Sequence, residues 1–360
     1  MSNPHFIFNK SFYIIENDLF EINNAFEIYS LQKDKNKIYL CGGAEFWRAI
    51  LDIFEFKGNS FEKILSLKNH KEFITNCKYF LNKKLLKEYL VTTDSGKSSS
   101  NSIIWQIIDE KNYQEILNIE NKDRIRYPNS LIFNYNNSSN NQLFLIHPIS
   151  QVDSEIISVN KNIFKQIHFT NGKILHYLIW ENNKRNTNYI IQCNANIVYI
   201  YDIFTNDNNN FIKIENEDIS GNNYTALILY NKNNTDILCI VNEKGNIVFY
   251  DLFTNKILNI IKIKDYDLVN VCQFNENYLI FLSKKGFFMV FDYRIQKIIN
   301  KIVSPQLSKC KTFKMINHDI YGKYILIGGF MKGLLLYKNI EPFNIIKKNA
   351  INQKKKNNKK

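Results

Sequence analysis

Six histidines, six cysteines and 34 acidic residues are the side chains with chemistry to offer in this 360-residue chain. Their spacing decides what they can do. Cys41, Cys77, Cys193, Cys239, Cys272 and Cys310 form no C-x-x-C pair, so neither a zinc site nor a thioredoxin-like motif is supported. His147, His168, His176 and His318 lack cysteine or carboxylate neighbours at metal-ligand spacing. A His-Glu-x-x-His pair, a Gly-rich phosphate loop and a nucleophile elbow are all missing. His70 could in principle be a ligand or a general base. Set before an apolar run, it reads better as a buried polar group whose hydrogen bonds are satisfied in the frame. The expectation is therefore a chain without catalytic residues, cofactor or metal.

The elements that would position such residues are strands. Nearly every apolar run is short, rich in Ile, Val, Phe and Tyr, and bounded by Asn, Asp, Lys, Gly or Ser. A helical pattern is best at Phe80 to Tyr89, where Leu85, Leu86 and Tyr89 could share a face of one short helix or loop. From Asp236 to Asn300 the chain states one unit twice. Ile237 to Val241 and Asn246 to Asp251 flank a turn ending at Gly245, and Tyr278 to Leu282 and Phe287 to Asp292 flank a turn ending at Gly286. A unit of roughly 40–45 residues with two apolar runs and a Gly-ended turn is the signature of a propeller blade.

Third-strand ends then recur at Phe54-Glu55, Trp105-Gln106, Ile157-Ser158, Tyr201-Asp202, Tyr250-Asp251, Phe291-Asp292 and Tyr337-Lys338. Asp202 to Asn206 and Asp251 to Asn255 differ at one position, which strengthens the repeat. The reading is all-β: a seven-bladed β-propeller of four-stranded antiparallel blades over residues 1–346, with a disordered Lys/Asn-rich tail over 347–360. A closed ring leaves no sheet edge to pair with strangers. A strand within 5–16 is expected to close it, with Phe343 to Ile346 as the alternative. Gly245 and Gly286 read as turn residues with positive φ, and Asp202, Asp251 and Asp292 as structural strand-end residues.

These units resemble the WD40-repeat β-propellers, in degenerate form. The resemblance covers most of residues 24–340, with Trp-Asp replaced by Trp105-Gln106, Tyr201-Asp202, Tyr250-Asp251 and Phe291-Asp292. It implies a hydrogen-bonded network, best matched in the second unit by Asn69-His70, Thr92 or Thr93, Asp94 and Trp105. It also implies a non-enzymatic scaffold holding protein partners in a multiprotein complex. Phe46, Trp47 and Arg48, in a long turn of the first unit, are the candidate anchors, since exposed Trp and Arg are common in interface hot spots.

Charge adds a second reading. Of a net +13, seven charges are lysines among the last fourteen residues, Lys347 to Lys360. Such a tail can be a nucleic-acid arm or a nuclear-import signal. The alternative is thus a nuclear or nucleolar RNA-associated propeller of the ribosome-assembly type, with nucleic acid a possible but not favoured partner of the body. A phosphoinositide-binding propeller would require a Phe-Arg-Arg-Gly motif that is not present. No apolar run approaches the ~18 residues of a membrane span. With scattered free cysteines, a cytoplasmic or nuclear location is expected.

Overall fold

The computed structural model describes residues 13–15 and 24–338, apart from 44–48, 58–60, 96–98, 122–129, 136–141, 151, 160–162, 169–173, 183–186, 195, 204–210, 216–224, 231–235, 264–266, 274–276, 284, 304–309, 319–321 and 330–333. The described strands form four-stranded antiparallel sheets, and six of these are each made of four consecutive strands. The first comprises Asn24–Leu31, Asp34–Gly43, Leu51–Phe56 and Phe61–Leu67. The second comprises Ile74–Asn82, Lys87–Asp94, Ser100–Asp109 and Asn112–Asn121. Leu131–Tyr135, Gln142–Pro148, Asp153–Ser158 and Ile163–His168 make the third. Ile174–Asn182, Thr187–Asn194, Val198–Asp202 and Phe211–Ile214 make the fourth.

The fifth holds Thr225–Tyr230, Asp236–Val241, Asn246–Asp251 and Lys256–Lys262, and the sixth Leu268–Gln273, Tyr278–Ser283, Phe287–Asp292 and Lys297–Val303. A further sheet draws on both ends of the chain. Cys310–His318, Gly322–Gly329 and Leu334–Lys338 are joined at the outer edge by Tyr13–Ile15, with Tyr13 opposite Leu336 and Ile15 opposite Leu334. The first strand of each sheet touches the first strands of the sheets on either side, and Asn24–Leu31 touches Cys310–His318, so the sequence of neighbours returns to its start. The molecule is a β-propeller of four-stranded antiparallel blades.

In the six sheets of four consecutive strands the central strands are covered on both faces, which explains the apolar runs. Leu51–Phe56, Asn246–Asp251 and Tyr278–Ser283 are buried at every position. Alternate residues serve opposite neighbours. Val248 and Tyr250 pack toward the fourth sheet, while Ile247 and Phe249 pack toward the sixth. Outer strands such as Lys256–Lys262 face solvent and alternate.

Turn chemistry sets the register. Asn242 O accepts from Gly245 N, and Ser283 O from Gly286 N, with the glycines at φ 78° and 81°. This is the three-residue hairpin in which a left-handed residue closes the loop. Asn242 Oδ1 also accepts from Lys244 N and Asn246 N, and Ser283 Oγ from Lys285 N. Replacing Gly245 by Ala should cost about 1–2 kcal/mol, because a Cβ crowds the carbonyl in the left-handed region. Denaturant unfolding measures it, and an unchanged midpoint would refute this account of the turn.

Of the short helix or loop expected at Phe80 to Tyr89, the structure has the loop: Ile74–Asn82 and Lys87–Asp94 pair as a hairpin, and Leu85 and Leu86 lie in its turn. Buried Asn82 causes the reversal by accepting backbone bonds from Lys84 N and Leu85 N at 3.1 Å each, a local bond that competes with helix. Third-sheet residues Ser150 to Asp153 turn without glycine, because Ser150 Oγ accepts from Val152 N and Asp153 N.

Candidate functional site

The second sheet carries a relay of four side chains. Trp105 Nε1 donates to Thr92 Oγ1 at 2.9 Å, Thr92 Oγ1 lies 2.6 Å from His70 Nε2, and His70 Nδ1 lies 2.9 Å from Asp94 Oδ2. A carboxylate can only accept, so the neutral ring carries its proton on Nδ1, facing Asp94, and Nε2 accepts from the Thr92 hydroxyl, whose oxygen accepts from the indole. Asp94 also accepts from Asn101 N at 2.5 Å, and more distantly from Lys71 N and Glu72 N. It thereby ties the entry loop of the sheet to its central turn.

Hydroxyl, imidazole and carboxylate stand in the order of a hydrolase triad. The chemistry is closed off, however. The side chains of His70 and Asp94 are 0% and 1% exposed, and Thr92 is fully buried with its oxygen bonded to the indole. The relay is a structural clamp. Its hydroxyl belongs to Thr92, which corrects the expectation at Thr93. Thr92 shares the strand face of Leu90, the partner of Trp105, whereas Thr93 Oγ1 faces the other way and is buried without a hydrogen bond.

Register carries the same position into the fifth and sixth sheets. Leu90 opposes Trp105, Leu238 opposes Tyr250 and Leu279 opposes Phe291. Two residues further on stand Thr92, Ile240 and Phe281, so the fifth and sixth sheets use hydrocarbon where the second uses a hydroxyl. The strand-end carboxylates are turn acceptors. Asp251 Oδ1 takes Phe253 N and Thr254 N. Burial raises the Asp292 carboxyl, but bonds from Arg294 outweigh it and hold the group below its usual range.

A cleft of about 170 Å³ opens between the fourth and fifth sheets. Trp180, Tyr189, Ile200, Ile212, Leu252 and Phe253 form its walls, with Asn182, Asp202 and Asn255 as polar groups. Trp180 stacks on Tyr189 at 4.8 Å, meets Phe253 edge-on at 5.4 Å, and donates Nε1 to Asp236 Oδ2 at 2.8 Å. The equivalent junction of sheets one and two is filled. There Tyr29 pairs with Tyr39 as Trp180 does with Tyr189, but Tyr79 stacks on Tyr29 at 4.9 Å and Tyr113 meets its hydroxyl at 2.6 Å. By register Ile228 stands where Tyr79 does, while the shorter fifth-sheet hairpin ends its pairing at Lys256, so that Tyr113 has no paired counterpart and the turn residue Asn255, at φ 56°, borders the cleft. Two missing rings make the cleft.

Of the expected site residues, Asp202 lines this cleft, while His70, Asp94 and Trp105 meet in the clamp. Phe46, Trp47, Arg48 and the tail 347–360 lie outside the described residues. The cleft itself was missed, although the aromatic pair Trp180 and Tyr189 ahead of a small turn residue is its trace. His147 sits 3.7 Å from Glu155, whose carboxyl it holds below the usual range. His176 is pushed down to about 3 by burial and then by Lys78. Among the described residues no cluster of three His, Cys, Asp or Glu side chains could hold a metal ion, and no helix is long and apolar enough to cross a membrane.

No protein-family model matches the sequence, and no curated protein matches it. Among solved structures 1321 chains match. One is the crystal structure of Chaetomium thermophilum Raptor, with a TM-score of 0.62 and 9% identity over 89% of this chain. The chain spans 29% of that protein's length, and the likeness is one of fold.

Proposed function

We propose that this chain is a WD40-like, seven-bladed propeller that acts as a non-enzymatic scaffold, holding protein partners within a multiprotein complex in the cytoplasm or nucleus. The cleft beside Trp180 carries this reading. At about 170 Å³ it is smaller than the ~300–1,000 Å³ of ligand pockets, and it suits one inserted side chain of a partner. Buried aromatic walls with a few polar groups are the usual setting of an interface anchor. The clamp residues, which have the chemistry for catalysis, are spent on the frame. Similarity in fold to Raptor fits a scaffold and names no partner.

Affinity purification of the chain from its native cell, followed by mass spectrometry, tests the reading. One stable set of proteins is expected, and Phe253→Ala should cut its recovery at least about tenfold, the usual loss at a hot spot. The melting temperature of the variant controls for folding. Equal recovery with Phe253→Ala removes the cleft from the interface. Recovery of no stable set sinks the scaffold, and recovery of pre-ribosomal particles, lost on deleting 347–360, transfers the function to the RNA-associated alternative.

A further inference from the structure

The turn between the first two strands of the second sheet is the most exposed apolar feature among the described residues. Leu85 and Leu86 are 46% and 66% exposed, and Lys83, Lys84 and Lys87 around them are exposed as well. Ile108, 39% exposed, lies one strand away, level with Lys87 because Ile107 opposes Glu88. Lys111 follows in the next turn. Of the acids there, Glu110 is bonded to Lys37 at 2.6 Å and Asp109 accepts from Lys111 N. The tip is thus apolar at its crest and cationic around it.

Backbone geometry adds an independent observation. Leu86 has φ 53°, in the left-handed region where Gly or Asn is favoured; Asn255 and Gln296 take the same conformation just before their own strands. Among the described residues, only at this turn does a leucine carry that cost, with its side chain in solvent. Strain of this kind points to a use outside the fold. The tip is also held firmly, since Asn82 accepts from Lys84 N and Leu85 N and donates to Asn134 Oδ1 at 3.0 Å.

We propose that this tip docks the propeller onto an anionic lipid bilayer, Leu85 and Leu86 entering the acyl boundary while Lys83, Lys84, Lys87 and Lys111 face the headgroups. Leucines with surrounding lysines are what interfacial membrane binding uses. Protein interfaces deplete lysine and under-represent leucine among hot spots, and this tip is convex. Nucleic acid would use the lysines but not the leucines.

Co-sedimentation of the full chain with phosphatidylcholine vesicles, with and without phosphatidylserine, tests the proposal. The wild type should sediment with the anionic vesicles and stay free of the neutral ones. Leu85→Asn with Leu86→Asn keeps every charge, and should lower the partition roughly tenfold or more. Its melting temperature should hold or rise, because Asn accepts the left-handed backbone. Lys83→Glu with Lys84→Glu should remove the preference for phosphatidylserine. A wild type that binds neither vesicle, or a double-Asn variant that sediments as well as the wild type, overturns the proposal. So does loss of a co-purifying protein in the double-Asn variant with vesicle binding unchanged, which would assign the tip to a protein partner.

Discussion

Asp94→Ala should lower the stability of the propeller by roughly 3–5 kcal/mol, the range for leaving buried charged or strongly bonded groups without a partner. The carboxylate accepts the His70 Nδ1 proton and takes Asn101 N at 2.5 Å, and its own side chain is 1% exposed. Alanine leaves these donors in a closed space. Water cannot replace the acid without opening the junction between the entry loop and the central turn. Urea unfolding measures the effect as a drop in midpoint. Trp105→Phe provides the scale: it removes one neutral hydrogen bond and should cost about 1–2 kcal/mol. If both variants lose the same small amount, the relay is not a clamp.

The frame of the molecule was largely legible, because it rests on period. The dipeptides from Phe54-Glu55 to Tyr337-Lys338 all fall within the third strands of their sheets. Gly245 and Gly286 take the positive φ their turns require. Alternation also contained the answer at Thr92, since it lies on the face of Leu90, but that parity has meaning only once Leu90 is known to oppose Trp105. The turn at Lys83 to Leu86 was left open between helix and loop for a different reason. Its leucines mimic a helical face, and the deciding bonds come from the side chain of Asn82, which periodicity does not register.

The cleft was illegible because it depends on residues that are not there. Trp180 and Tyr189 look like core aromatics, and they are buried. Beside them Ile228 stands in place of Tyr79, an equivalence fixed by strand register between sheets far apart in sequence, and the fifth-sheet hairpin ends before any paired counterpart of Tyr113. Degeneracy of the repeat therefore has two consequences. It puts hydrocarbon in place of the polar clamp in the fifth and sixth sheets, and it leaves one junction open.

Phe281→Ala should cost about 3–5 kcal/mol, as deletion of a fully buried phenyl ring does, with a change in mechanism rather than in size from the loss at Asp94. Phe281 occupies in the sixth sheet the position that Thr92 holds in the second, two residues beyond the partner of the strand-end aromatic. It is 0% exposed and meets Phe291 edge-on at 5.7 Å, while Phe249 of the fifth sheet stacks on Phe291 at 6.3 Å. No hydrogen bond is broken, so the loss comes from transfer of the ring and from the cavity left between two blades. Phe281→Leu keeps most of the volume and should recover more than half of it, the behaviour of near volume-conserving swaps. Phe281→Thr would restore the hydroxyl of the second sheet without His70 or Trp105 to engage it, and should be at least as damaging as alanine. Urea midpoints for the three variants decide the matter. A threonine variant as stable as the leucine one would mean that a polar partner exists in the sixth sheet, and that this blade is not held by hydrocarbon packing alone.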